Sequence, residues 1–135
     1  MSDLTFRSAT SIAAAIRRKE VSSREVVDAH LDHIQRVNPP LNAMVRVLAE
    51  SARREARAAD EALARGDCVG PFHGVPMTVK DAWELAGVPS TGGTLGRAAF
   101  VHHDGGVVSE HDEVSAVAPV PADDPGAGHS GSRLV

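Results

Sequence analysis

Apolar positions recur at helical spacing through the first third of the chain, then give way to two short apolar runs separated by one more helical stretch. Residues 4–19 predict a helix: Leu4 and Phe6 lead in, Ser8 or Thr10 can cap, and Ile12 and Ile16 stand one turn apart among alanines. Arg17, Arg18 and Lys19 place cations where the helix dipole favours them. Ser22 with Glu25 three positions later matches a capping box, and Val27, Leu31 and Ile34, flanked by Val26 and Val37, make one stripe of a second helix. Asn38-Pro39-Pro40 predicts its end. Leu41 to Leu48 alternates moderately, as a strand does. Glu50 to about Arg65 is an alanine-rich helix with surface pairs at Glu50/Arg53, Glu50/Arg54 and Glu61/Arg65, closed by Gly66. Val75 to Val79, between glycines and prolines, predicts a second strand, and the intervening helix is what a parallel crossover requires.

Composition changes this picture mainly at the C-terminal end. Of 135 residues 42% are hydrophobic, but alanine and valine supply much of that, with three Phe, one Trp and no Tyr. Residues 1–100 balance thirteen basic against twelve acidic side chains, whereas 101–135 set Arg133 alone against Asp104, Glu110, Asp112, Glu113, Asp123 and Asp124. The same tail has one Leu and no Ile, Met or aromatic residue, too little apolar surface to offset the entropy of ordering it. The expected organisation is therefore a folded part, 1–100, and an acidic Gly/Pro/Ala/Val-rich tail, 101–135, that is disordered. A net charge of −4 gives no footprint for nucleic acid. No apolar run approaches the ~20 residues of a membrane span, and no leader pattern opens the chain, so a cytoplasmic location and no membrane partner are expected. Cys68 is the single cysteine, so no internal disulfide is expected, and a loop thiol is read there.

Candidate chemistry concentrates at Lys80. A cation directly after Met77-Thr78-Val79 is either a buried base, its ammonium discouraged by low dielectric, or a side chain that leaves the strand for water and pairs with Asp81. Asp81 can cap the following turn or orient the lysine. His73 rivals Lys80 as a base but lies in a loop, where a structural hydrogen bond is expected. Trp83 is expected to pack. The Ser90-Thr91-Gly92-Gly93-Thr94 loop invites a nucleophile or phosphate-cradle reading, but lacks the P-loop spacing. His30 and His33, three apart on a helix, and His102-His103-Asp104 have ligand chemistry without a completing constellation, so no metal is assigned. Ser130 in Gly-His-Ser-Gly-Ser is not a nucleophile elbow.

The run Gly70-Pro71-Phe72-His73-Gly74-Val75-Pro76-Met77-Thr78-Val79-Lys80-Asp81, followed by Ala86-Gly87-Val88-Pro89-Ser90-Thr91-Gly92-Gly93-Thr94, resembles the amidase signature family over about residues 4–100. That resemblance implies hydrolysis of an amide C–N bond by a Ser–Ser–Lys triad, with Lys80 as its lysine and the middle serine after a cis peptide bond. It implies no role in the triad for His73, a smaller residue than Trp83 at that position, and a 90–94 loop near the catalytic centre that does not supply the nucleophile. It implies an α/β fold, here an N-terminal fragment: helices packed on a small, incomplete mixed sheet. Both serines belong, in the family, to a Gly/Ser-rich segment further on, which these 135 residues do not contain. The expectation is a truncated amidase-family protein, inactive by itself, binding an amide substrate only when completed, with no cofactor. An α/β interaction module that complements a separately made serine-bearing partner is the alternative, as is a non-functional product of a frame broken near residue 100–108. Self-association through exposed sheet edges is expected in either case.

Overall fold

The computed structural model describes residues 4–67 and 70–101 and the backbone course of 132–134. Cys68, His102, His103, Asp104 and Ser130, and most of the tail expected to be disordered, lie outside the described residues. Three helices, α1 (Ala9–Arg17), α2 (Ser23–Leu41) and α3 (Ala49–Arg65), accompany three short strands, β1 (Met44–Val47), β2 (Thr78–Lys80) and β3 (Ser132–Leu134). This is the mixed helix-and-strand architecture expected. Among the described residues no helix is long and apolar enough to cross a membrane.

Local signals set the helix starts. Leu4–Phe6 form a separate 3-10 turn, and Ser8 caps α1, its hydroxyl accepting from the Ser11 N–H at 3.2 Å. The capping box of α2 is complete: Glu25 N–H donates to Ser22 Oγ at 3.1 Å, and Ser22 N–H donates to Glu25 Oε2 at 2.8 Å. The Ser22 N–H, and after it the Ser22 hydroxyl, which donates to the same Glu25 oxygen at 2.7 Å, hold the Glu25 carboxyl below its ordinary value. A long-range partner adds to this cap. Asp60 of α3 reaches the same helix start and accepts from Ser23 N–H at 2.7 Å and Arg24 N–H at 3.1 Å. Gly66, at φ 91, ends α3 in the left-handed conformation that a side chain resists.

Helix α2 corrects one expectation. It runs through Pro39 and Pro40 to Leu41 rather than stopping near Val37. Proline's φ is compatible with a helix, so what is lost is the N–H bond to the carbonyls of Gln35 and Arg36, and both of these residues are exposed, where water can satisfy them. Asn42, at φ 49, closes the helix through its N–H to the Asn38 carbonyl at 2.7 Å. The Asn38 side chain then pairs with both backbone groups of Met44, at 2.8 and 3.0 Å, and so sets where β1 begins.

Two apolar clusters join the helices. Ile12, Ile16 and Val26 are buried with Leu4, Val21, Leu63 and Val75 packed against them; Val27, Leu31, Ala52 and Ala56 are buried with Ile34, Met44 and Ala49 around them. Helices α2 and α3 run antiparallel, since Ser23 meets Asp60 while Asp28 meets Arg53. Asp28 accepts from Arg53 Nε at 2.7 Å and from Arg24 Nε at 2.8 Å. Of the surface pairs expected on α3, Glu50/Arg53 forms at 3.3 Å, while Arg54 donates to Ser51 and Arg65 pairs with Asp67.

The Asp28 link makes the helix pair acid-sensitive. The Arg53 hydrogen bond, with Arg24 helping, holds the Asp28 carboxyl below its ordinary value against the opposing effect of burial. A depressed folded-state value means the contribution is present above the unfolded value and is lost as pH falls through the folded one. Water screening of these partly exposed groups limits it to about 1 kcal/mol or less. Denaturant midpoints measured at neutral pH and at an acid pH well below the ordinary carboxylate value of ~4 should converge for wild type and Asp28→Asn at the acid end, with wild type the more stable at neutral pH.

The sheet differs from the expected parallel crossover. Its order is β1-β3-β2: β3 lies between the others, parallel to β1 and antiparallel to β2, so β1 and β2 are neither neighbours nor parallel. The long connection after α3 turns at Gly70 and Gly74, both at positive φ, and brings β2 in with the opposite direction. Strand β2 also starts later than the apolar run suggests, because Pro76 has no N–H to give to a ladder. Within 101–135, Val101 forms an isolated bridge with Pro89, and Ser132–Leu134 make the central strand.

Candidate active site around Lys80

The motif from Gly70 onward is held to the helices at its start. Arg17 Nη1, at the end of α1, donates to the Pro71 carbonyl at 2.7 Å. His73 Nε2 donates to the Ala59 carbonyl at 2.9 Å, the structural hydrogen bond expected of it, and this fixes the proton on that nitrogen. At Gly74 the backbone has φ 76, and an added Cβ would stand 3.0 Å from Ser23 Cβ and Oγ. Buried Ser23 donates to the Gly74 carbonyl at 2.6 Å, so glycine is required both by conformation and by this close approach. Val75 then packs into the Ile12–Ile16–Val26 cluster.

Strand β2 carries the lysine. Val79 is buried and Lys80 is exposed, as the alternation of strand side chains demands once Val79 faces the core. The buried, desolvated setting considered for Lys80 from Val75, Met77 and Val79 is therefore not formed by these residues: Val79 occupies the opposite face, and Val75 belongs to the helical cluster. Along the ladder, Lys80 stands opposite Ser132 of β3, Val79 opposite Arg133 and Thr78 opposite Leu134.

After Lys80 the chain turns at once, the Trp83 N–H donating to the Lys80 carbonyl at 2.9 Å. Asp81, 1% exposed, points inward. Its Oδ2 accepts from the Thr91 N–H at 3.2 Å and from the Thr91 hydroxyl, and its carbonyl accepts from the Gly92 N–H at 3.3 Å. Ser90, 2% exposed, donates from Oγ to the Trp83 carbonyl at 2.9 Å. The Ser90–Thr94 loop is thus strapped against the residues that follow the lysine. Trp83 itself is 49% exposed, so its ring is only half covered.

The helical histidines are engaged elsewhere. His30 Nδ1 donates to the Val26 carbonyl at 2.8 Å, and His33 meets the Phe6 ring edge-on with centroids 5.7 Å apart. Among the described residues no group of three or more His, Cys, Asp or Glu is placed to hold a metal ion.

Comparison with known proteins gives a consistent picture. The sequence profile of the Amidase family matches residues 25–120. A glutamyl-tRNA(Gln) amidotransferase subunit of Acidothermus cellulolyticus is 46% identical over 94 residues, covering 70% of this chain and 19% of that protein. An indoleacetamide hydrolase of Bradyrhizobium diazoefficiens is 45% identical over 94 residues, covering 70% and 18%. An amidase of Pseudomonas putida is 36% identical over 117 residues, covering 87% and 25%. A solved structure, described as an unexpected vestigial protein complex that reveals the origins of an s-triazine catabolic enzyme, superposes with TM-score 0.70 at 27% identity over 73% of this chain and 22% of that one. The chain spans about a fifth to a quarter of the length of these curated relatives.

Proposed function

This chain belongs to the amidase family, and we propose that it supplies the lysine side of an amide-hydrolysing site whose two serines come from outside these 135 residues. One observation carries the reading: the Gly70–Asp81 motif brings Lys80 to the close of β2 with its side chain exposed, where a segment laid over the strand can meet its amine. In the completed site Lys80 accepts a proton from the middle serine, which in turn takes one from the nucleophilic serine as that serine attacks the amide carbonyl. That one proton passes back along the relay to the amine as the C–N bond breaks, and water, deprotonated by the same relay, then cleaves the acyl-serine.

On this reading the chain is expected to be inactive by itself, since the segment that carries both serines lies outside these 135 residues. A lysine must be uncharged to accept a proton, and water favours the ammonium. A segment that brings the serines to Lys80 also covers β2 and removes that water. Nucleophile and desolvation therefore arrive together.

The relatives' names favour partnership. One is a subunit of an amidotransferase, and the solved neighbour is described as a protein complex. A second reading follows, that of an interaction module whose work is to complete a serine-bearing partner. Both are tested by assaying a chromogenic anilide with the purified chain alone, and after co-expression with the serine-bearing remainder of the Pseudomonas putida amidase. The expected result is no turnover by the chain alone and turnover by the pair. A stable complex without turnover supports the interaction module. Turnover by the chain alone, or neither complex nor turnover, overturns the proposal.

A further inference from the structure

A turn after a short strand does not need a buried carboxylate. Asp81 is nevertheless 1% exposed, immediately beside an exposed lysine, and burying an ionisable group is costly unless it is well hydrogen-bonded. Its carboxylate receives both the N–H and the hydroxyl of Thr91. The same hydroxyl oxygen accepts from the Gly93 N–H at 3.1 Å, so one side chain ties Asp81 to the glycine pair. Gly92 donates to the Asp81 carbonyl, and Ser90 to that of Trp83, so residues 81–83 and 90–93 are held together at several points. Because Asp81 is covalently next to Lys80, anchoring its side chain inward sets the backbone direction at the end of β2 and hence the direction in which the lysine side chain leaves it.

We propose that Asp81 and Thr91 form a latch that positions Lys80 and presents the Gly92–Gly93 turn beside it. Both are positioning residues, acting through the lysine. The consequence for hydrolysis rests on the role of Lys80 proposed above; the placement of its amine does not.

The chain has two lysines, Lys19 and Lys80, which makes the latch directly readable. Reductive methylation with isotope-labelled formaldehyde keeps their charge and gives each a separate methyl signal. In full-length chain, Thr91→Val and Asp81→Asn are expected to move the Lys80 signal by more than its linewidth, leave the Lys19 signal in place, and give a circular dichroism spectrum like wild type. Thr91→Ser, which keeps the hydroxyl, is expected to leave both signals at their wild-type positions. An unmoved Lys80 signal in Thr91→Val and Asp81→Asn overturns the proposal. So does an equal displacement in Thr91→Ser, or a displacement of Lys19 alongside Lys80, which would mark general loosening. In the co-expressed pair, Thr91→Val should lower kcat by about tenfold or more with KM little changed, and Thr91→Ser should restore it. Lys80→Ala in that pair reads the lysine's role independently: should it leave turnover intact, the hydrolytic reading fails while the signal comparison still decides the latch.

Discussion

Lys80→Ala is expected to lower kcat/KM of the co-expressed pair by roughly 10²–10⁴-fold, the span attributed to a positioned general acid–base group. The loss should fall on kcat, because on the proposed mechanism the amine acts on protons in flight and not on the bound amide. Structure makes this a clean substitution. Lys80 is exposed at a strand end, so removing its side chain opens no cavity. Stability should therefore change by no more than about 0.5 kcal/mol, which a denaturant titration of the full chain will check. Lys80→Arg is a second, sharper variant. It keeps the cation and much of the apolar stem, but a guanidinium does not give up its proton, so it should be as impaired as alanine. If arginine restores turnover, the residue serves as a fixed positive charge, and proton transfer must be assigned to another group.

Ile16→Ala has the largest expected effect on the fold, a loss of about 2–5 kcal/mol. Ile16 is fully buried, and it joins Ile12 and Val26 in the cluster against which Val21, Leu63 and Val75 pack. Removing it leaves a void among residues of α1, α2, α3 and the segment leading to β2. A small domain has only about 5–15 kcal/mol of net stability, so this one change removes a large share. Urea midpoints should fall accordingly, with Leu95→Ala as the control: Leu95 is 93% exposed, and its loss should stay within about 0.5 kcal/mol. Because Val75 lies in the disturbed cluster, Ile16→Ala should also loosen the approach to Lys80, visible as increased amide exchange from Val75 onward. An unchanged midpoint would mean that α1 contributes little to the packed core.

What the sequence by itself determined is what neighbours along the chain decide. Ser8, the Ser22/Glu25 capping box and Gly66 mark helix boundaries because caps act over three or four residues. The apolar faces of α1 and α2 are legible for the same reason, through their period. The Gly70–Asp81 run shows its kinship and its lysine without any coordinates, since the pattern is contiguous.

Only the tertiary structure decided the rest. Asp60 caps α2 from 37 positions away, and Asp81 turns inward to Thr91 ten positions on; neither partner is implied by spacing. The extension of α2 through Pro39 and Pro40 depended on whether water reaches the carbonyls left without donors. Strand direction depended on how the glycine-turned connection after α3 re-enters the sheet, with β3 between β1 and β2. Whether Lys80 is buried depended on which face of β2 meets the core. Alternation puts two answers one residue apart, and the core chose Val79. Periodicity and capping are short-range forces that a linear reading captures, whereas burial is a property of surfaces that residues distant in sequence make together.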